Sequence, residues 1–336
     1  MTLQVYPWQQ RQWTRLGDAY AQDRIPHALL LAGPSGLGLE HFASCLAARW
    51  LCTEPVADHA CGQCRACLLF IAGSHPDIVR IEPEEAGKQI KVDAIRELIH
   101  FIQLSCQSGR GKIAVIAPAE AMNRSAANSL LKTLEEPPVG STFVLVTHQP
   151  AFLPVTIRSR CQRLDFAPAH DDATLQWLAQ EISADATRAV DLLTLSRGRP
   201  LLAITLTEND MVTRQGQLLA DLGKLGSGSS DVIGTAQRWH DQGAAQVFEW
   251  LQLLLAGMAR LKITGTLQTG AASTLTRDLQ RLANRLDLHA LIRGYDLALQ
   301  NQRVITGPYN LNQMGLLEEF IVYWQTLSSS NGGTTE

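Results

Sequence analysis

No stretch of this 336-residue chain approaches the ~18 consecutive apolar residues that a bilayer-spanning helix needs. The opening residues, MTLQVYPW, carry no basic segment and no cleavage-site pattern, so a secretory leader is not expected. The surplus of Lys and Arg typical of autonomous nucleic-acid binders is also missing. There are 29 basic against 32 acidic residues, a net charge of −3. The seven cysteines are not spread as a disulfide framework would be, and no internal repeat is visible. These absences leave a cytoplasmic globular protein, long enough for two or three domains, with contact to DNA inside a larger assembly left open.

What is present is an alternation of short β-like runs and helical runs over the first ~165 residues, the pattern of a parallel sheet covered by helices. Candidate strands are 27–32, 77–81, 113–117, 143–147 and 162–166. Residues 93–104 place Ile95, Leu98, Ile99 and Ile102 on one helical face. Residues 123–136 read as a helix stopped by Pro137 and Pro138. From about Pro168 the β signal ends. Residues 171–206 form a helical unit broken at RGRP (197–200), and a wholly helical region follows. The stretch GKLGSGSS (223–230) reads as flexible and the end from Ser328 as a disordered tail. Within the last region, 247–261 is too apolar all round for a free surface helix and must be buried in a core or against a partner.

Cys52, Cys61, Cys64 and Cys67 form C-x8-C-x2-C-x2-C. Four thiolates in so short a span suit the closed tetrahedral shell of structural zinc. An iron–sulfur cluster is the alternative, because C-x2-C-x2-C also opens a ferredoxin run. That run needs a further Cys followed by Pro, and position 71 is Ile71. Bare buried thiols are the third reading. Cys45, Cys106 and Cys161 are expected as small apolar residues.

Residues 31–40, LAGPSGLGLE, have the layout of a phosphate-binding P-loop, entered by an apolar run and left by a helix. Gly33 and Gly38 have the right spacing. The two residues that should follow, a Lys for the β- and γ-phosphates and a Ser or Thr for Mg²⁺, are Leu39 and Glu40. Leu39 brings no charge, and Glu40 sets a carboxylate where phosphate and helix N-terminus would meet.

Two longer segments carry a family resemblance. NSLLKTLEEPP (128–138) resembles the N-x-L-L-K-x-L-E-E-P-P stretch of bacterial clamp-loader subunits, and TIRSRC (156–161) resembles their T-I-x-S-R-C. The cysteine cluster falls where that family carries a zinc insertion, between the P-loop helix and the second strand. The chain is thereby similar to the AAA+ clamp-loader family of bacterial DNA polymerase III. The resemblance implies an AAA+ α/β core with a four-cysteine zinc insertion (1–166), a small helical lid (167–207), an all-α oligomerising collar (208–330) and a disordered tail (331–336).

Measured against the family's ATP-hydrolysing members, the chain departs consistently. Ala117 and Pro118 stand where the Walker-B Asp-Glu pair would hold Mg²⁺ and polarise water. Leu201 aligns with the sensor arginine, although Arg199 is close by. The resemblance therefore implies a subunit with a vestigial nucleotide site and no ATPase of its own. It would sit in a hetero-oligomeric ring beside ATP-binding neighbours that acts on the sliding clamp and primed DNA. Arg160 would act in trans, as an arginine finger for the neighbour's nucleotide. The plainer reading of Arg160 is a surface ion pair with Asp165 or Glu136. Two rivals differ in class. A self-sufficient AAA+ motor is disfavoured by Leu39, Glu40, Ala117 and Pro118, and a zinc-dependent DNA-binding module by the acidic balance.

Overall fold

The computed structural model describes residues 3–22, 24, 26–85, 87–208, 211–226, 231–264, 274–306 and 312–330. The chain divides into two compact units. The first comprises 1–174 with 199–202, the second 175–198 with 203–336.

In the first unit, five strands among the described residues form one parallel sheet in the order β2-β3-β4-β1-β5. They are β1 (Ala28–Ala32), β2 (Ile78–Ile81), β3 (Lys112–Ile116), β4 (Ser141–Thr147) and β5 (Gln162–Asp165). All five sequence-predicted strands are present, with ends shifted by one or two residues. β1 lies between β4 and β5, and every one of its residues is buried, as expected where helices cover both faces. Alternate side chains serve different cores. Leu29, Leu31, Val115, Val144 and Val146 pack with Trp13 and Phe42 on one face. Leu30, Ala114, Ile116, Phe143 and Leu145 pack with Ile95, Leu98, Leu130 and Leu134 on the other.

The covering helices are α1 (Gln10–Ala21) and α2 (Leu39–Leu51) on the first face, and α4 (Val92–Gln103) and α5 (Arg124–Glu135) on the second. The short α3 (Arg65–Ile71) lies in the cysteine insertion, and α6 (Val155–Arg158) precedes β5. Asn123 caps α5, its side chain accepting the Ala126 N–H at 2.8 Å, and the helix ends before Pro137 because proline excludes helical geometry from the residue ahead of it. No helix among the described residues is long and apolar enough to cross a membrane.

The second unit is helical: α7 (Asp172–Glu181), α8 (Ala186–Leu195), α9 (Pro200–Glu208), α10 (Met211–Gly226), α11 (Val232–Asp241), α12 (Ala244–Thr264), α13 (Thr274–Arg285), α14 (Leu288–Thr306) and α15 (Gln313–Ser330). Residues of α7 to α9 share one apolar core with those of α10 to α15, built around Trp239, Phe248, Trp250, Phe320 and Trp324. The all-round apolar character of 247–261 is explained inside the chain, since Phe248, Trp250, Leu251, Leu254, Leu255 and Met258 all enter that core. Trp324 fixes the last helix by donating its indole N–H to the Leu222 carbonyl at 2.9 Å.

Two expectations need correction. Residues 223–226 are the last turn of α10 rather than a loop, because Leu222 and Leu225 are buried and override the local glycines. Residues 328–330 continue α15. The rest of both stretches, 227–230 and 331–336, lies outside the described residues.

Candidate functional site

The glycine loop leaves β1 and enters α2, as the sequence pattern predicts. Gly38, the N-cap of α2, has φ 75°, a left-handed conformation suited to glycine. A Cβ there would also lie 2.7 Å from the Tyr6 ring. Gly33 permits close approach, since a Cβ would come within 2.6 Å of the Phe166 carbonyl oxygen. The N-terminal segment holds the loop from outside. Gln9 Nε2 donates to the carbonyls of Leu37 and Gly38 at 2.8 and 2.9 Å, and Trp8 Nε1 to Leu37 at 3.0 Å. The turn between β1 and α2 is therefore fixed by close packing and by hydrogen bonds from the N-terminal segment.

The side chains that follow the turn are an apolar one and a carboxylate. Leu39 is fully buried in the core with Phe42. Glu40, one residue into α2, reaches His148 just past β4, with its Oε1 2.6 Å from Nε2. Nδ1 of the same imidazole lies 3.2 Å from the Gly33 carbonyl oxygen. A carbonyl and a carboxylate both accept hydrogen bonds, so this geometry calls for a proton on each ring nitrogen and hence an imidazolium. The Glu40 contact raises the His148 pKa against the opposing effect of burial. Burial would raise Glu40, but the His148 hydrogen bond and charge outweigh it and hold the carboxylate below its ordinary range. Glu120 joins the group by accepting the His148 backbone N–H at 3.0 Å.

Ala117 and Pro118 follow β3, where carboxylates would be needed. With Glu40, Glu82 and Lys88 they line a cavity of about 610 Å³. Its charged lining is Glu40, Glu82 and Lys88, and Lys88 pairs with Glu85 at 2.7 Å. Leu201 is brought to the loop. Its N–H donates to the Gly36 carbonyl at 3.1 Å, and its side chain lies 3.1 Å from where a Gly38 Cβ would sit. Arg199 also comes to this loop, its Cβ 3.2 Å from where a Gly36 Cβ would sit.

The four cysteines converge. Cys52 ends α2, Cys64 caps α3 and Cys67 lies in its first turn. Sulfur separations are 3.6 Å for Cys52–Cys61 and 3.9 Å for both Cys52–Cys64 and Cys61–Cys67, with all four ligand atoms within 4.8 Å of one another. A tetrahedral ion with sulfur bonds of ~2.3 Å requires sulfurs ~3.8 Å apart. The donor set fits such an ion. Backbone N–H groups of Cys61, Cys64 and Cys67 donate to Cys52, Cys61 and Cys64 sulfurs at 3.3, 3.3 and 3.5 Å, which favours thiolates. Cys52, Cys64 and Cys67 are buried, so the shell is closed. Of the remaining cysteines, Cys45 is a buried small residue, whereas Cys106 has a polar role, its sulfur accepting the Gly111 N–H at 3.2 Å.

Arg160 follows α6 and lies at the surface, its side chain 31% exposed. Its Nε donates to Glu135 Oε1 at 2.7 Å, Nη2 pairs with the same carboxylate, and Nη1 donates to the Thr156 carbonyl at 2.9 Å. The pair is thus with Glu135. Asp165 instead binds Arg163 at 2.7 Å, and Glu136 lies beyond the end of α5. His148, Glu120 and Glu135 are the residues that reading the chain alone did not single out. Glu135 lies within the NSLLKTLEEPP segment, but each of the three acquires its partner from a neighbour distant in sequence.

Comparison with known proteins finds relatives along nearly the whole chain. Residues 8–170 match the family model described as DNA polymerase III, delta subunit, and residues 210–326 match that of its C-terminal part. The chain is 36% identical over 324 residues to DNA polymerase III subunit delta-prime of Pseudomonas aeruginosa, covering 96% of this chain and 98% of that protein. It is 28% identical over 323 residues to DNA polymerase III subunit tau of Escherichia coli, covering 90% of this chain and 50% of that protein. Among solved structures, a gamma subunit-related protein from Thermotoga maritima aligns over 93% of this chain and 99% of its own, at 16% identity and a TM-score of 0.41. The chain belongs to the delta-prime family of DNA polymerase III clamp-loader subunits.

Proposed function

We propose that this chain is the member of the clamp-loader ring that does not hydrolyse ATP, and that it serves a neighbour's site through Arg160. The observation that carries the first half is Glu40, a carboxylate at the phosphate end of the P-loop, already paired with His148. Phosphoryl transfer needs positive charge and metal ligands around the γ-phosphate. Here Leu39 replaces the lysine, Ala117 and Pro118 replace the carboxylates, and Leu201 stands at the loop in place of the sensor. In this reading 167–207 act as a lid, 208–330 as the oligomerising collar, and the sliding clamp and primed DNA are reached through the assembly.

The second half rests on the TIRSRC segment and on the way Arg160 is held. A partly exposed ion pair contributes only ~0–1 kcal/mol. Glu135 therefore orients the guanidinium at little cost to its transfer onto a more strongly charged phosphate across a subunit boundary. The four cysteines hold structural zinc in this reading, which ties the end of α2 to α3 and stiffens the insertion.

The test is reconstitution of the loader with Arg160→Ala and Arg160→Lys. The alanine variant should assemble normally and lower DNA-stimulated ATP turnover about tenfold or more, with little change in ATP affinity. Lysine should rescue only partly, because it lacks the planar fork. Unchanged turnover in an intact complex would return Arg160 to the role of a surface ion pair.

A further inference from the structure

A groove of about 400 Å³ lies between α1 and the edge strand β5, remote in sequence from the motifs above, and its rim is arginine. Arg11 and Arg15 stand one helical turn apart on the exposed face of α1, while Trp13 and Leu16 turn inward to the core. Arg163 faces them from β5 and is paired with Asp165 at 2.7 Å. Neither Arg11 nor Arg15 has a hydrogen bond or ion pair among the described residues. The local charge is three guanidinium groups against one carboxylate, on a chain whose net charge is −3. Two arginines one turn apart, without a partner among the described residues, offer two guanidinium forks to one anion.

We infer that this groove binds the phosphate backbone of a nucleic-acid strand, giving the subunit a direct contact of its own. Three features select that ligand. All the cations are arginine, whose planar fork matches phosphate oxygens in a bidentate manner. No aromatic residue lines the groove, so there is no platform for stacking bases and the contact is with the backbone, independent of sequence. An acidic peptide, the competing polyanion, would use the free edge of β5 by adding a strand. Gln12 Nε2 already occupies the Asp165 carbonyl at 2.9 Å, so α1 obstructs that edge. The inference is independent of Arg160 and of the nucleotide site.

The experiment titrates the full-length chain, alone, against fluorescein-labelled oligothymidylate by anisotropy over a series of salt concentrations. The Arg11→Gln/Arg15→Gln variant, verified as folded by circular dichroism, should bind about tenfold or more weakly at low salt. Its log–log salt slope should be shallower by ~1.4, since each phosphate contact on a single strand contributes ~0.7. Arg163→Gln should do less, because Asp165 already neutralises that side chain. Arg96→Gln/Arg281→Gln, which removes the same charge from exposed ion pairs elsewhere, should leave the slope unchanged. An unaltered slope in the first variant, an equal change in the control pair, or no binding by the parent chain at low salt would each overturn the inference. So would binding of poly-L-glutamate, in place of DNA, with the same dependence on Arg11 and Arg15.

Discussion

The glycine loop and the cysteine cluster lie at opposite ends of α2, and they have kept different things. At the N-terminal end the glycine turn is held with Gly38 in its left-handed conformation, while Leu39 is buried and Glu40 is paired with His148. At the C-terminal end the donor atoms persist at spacings a tetrahedral ion demands. The difference follows from what each feature does for the fold. The loop must turn tightly between β1 and α2 whether or not nucleotide binds, so its glycines are required by packing against Tyr6 and Phe166. Leu39, in turn, gains about 1.5–3 kcal/mol by burial where a lysine would have to stay charged. The four cysteine sulfurs lie within 4.8 Å of one another, three of the separations being 3.6–3.9 Å, a donor set that fits an ion.

The largest expected effect is at the cysteine end. Cys64→Ser should lose about one equivalent of zinc per chain by elemental analysis and lower the melting temperature on the order of 10 °C, because structural zinc contributes directly to folding free energy. Iron in the parent protein, or no metal with undiminished stability, would remove the contrast between the two ends.

A smaller effect is expected at the loop. His148 carries a raised pKa, so its pairing with Glu40 stabilises the fold fully below the unfolded histidine value of ~6.5 and loses that contribution as pH rises through the folded value. Glu40 carries a lowered pKa, so its contribution is present above its unfolded value and fades as pH falls through the folded one. His148→Gln should therefore melt about 1–3 °C below the parent near pH 6 and converge with it in mildly alkaline buffer. A constant difference across that range, by differential scanning fluorimetry, would mean the imidazole acts by packing and not by charge.

The parts legible in the chain are those decided locally. Central parallel strands are apolar throughout, so β1 and β4 stand out, and ligand spacing announces the cysteine shell. Legibility ends where a partner is set by register or rotation. Ala32 pairs with Thr147, and only that alignment brings His148, the next residue, beside Gly33 and Glu40. Glu135 and Glu136 are adjacent, but only Glu135, the last residue of α5, pairs with Arg160, while Glu136 follows the helix end as its C-cap. The glycines at 223 and 226 suggest a loop, and burial of Leu222 and Leu225 decides for helix.

Calorimetric titration of the purified chain with ATP and Mg²⁺ tests the central claim most directly, with the Leu39→Lys/Glu40→Thr variant run beside it. The parent should give no measurable binding heat. The variant should not hydrolyse ATP even if it gains affinity, since Ala117 and Pro118 still supply no carboxylate for the metal. Micromolar binding of ATP by the parent chain would contradict that claim.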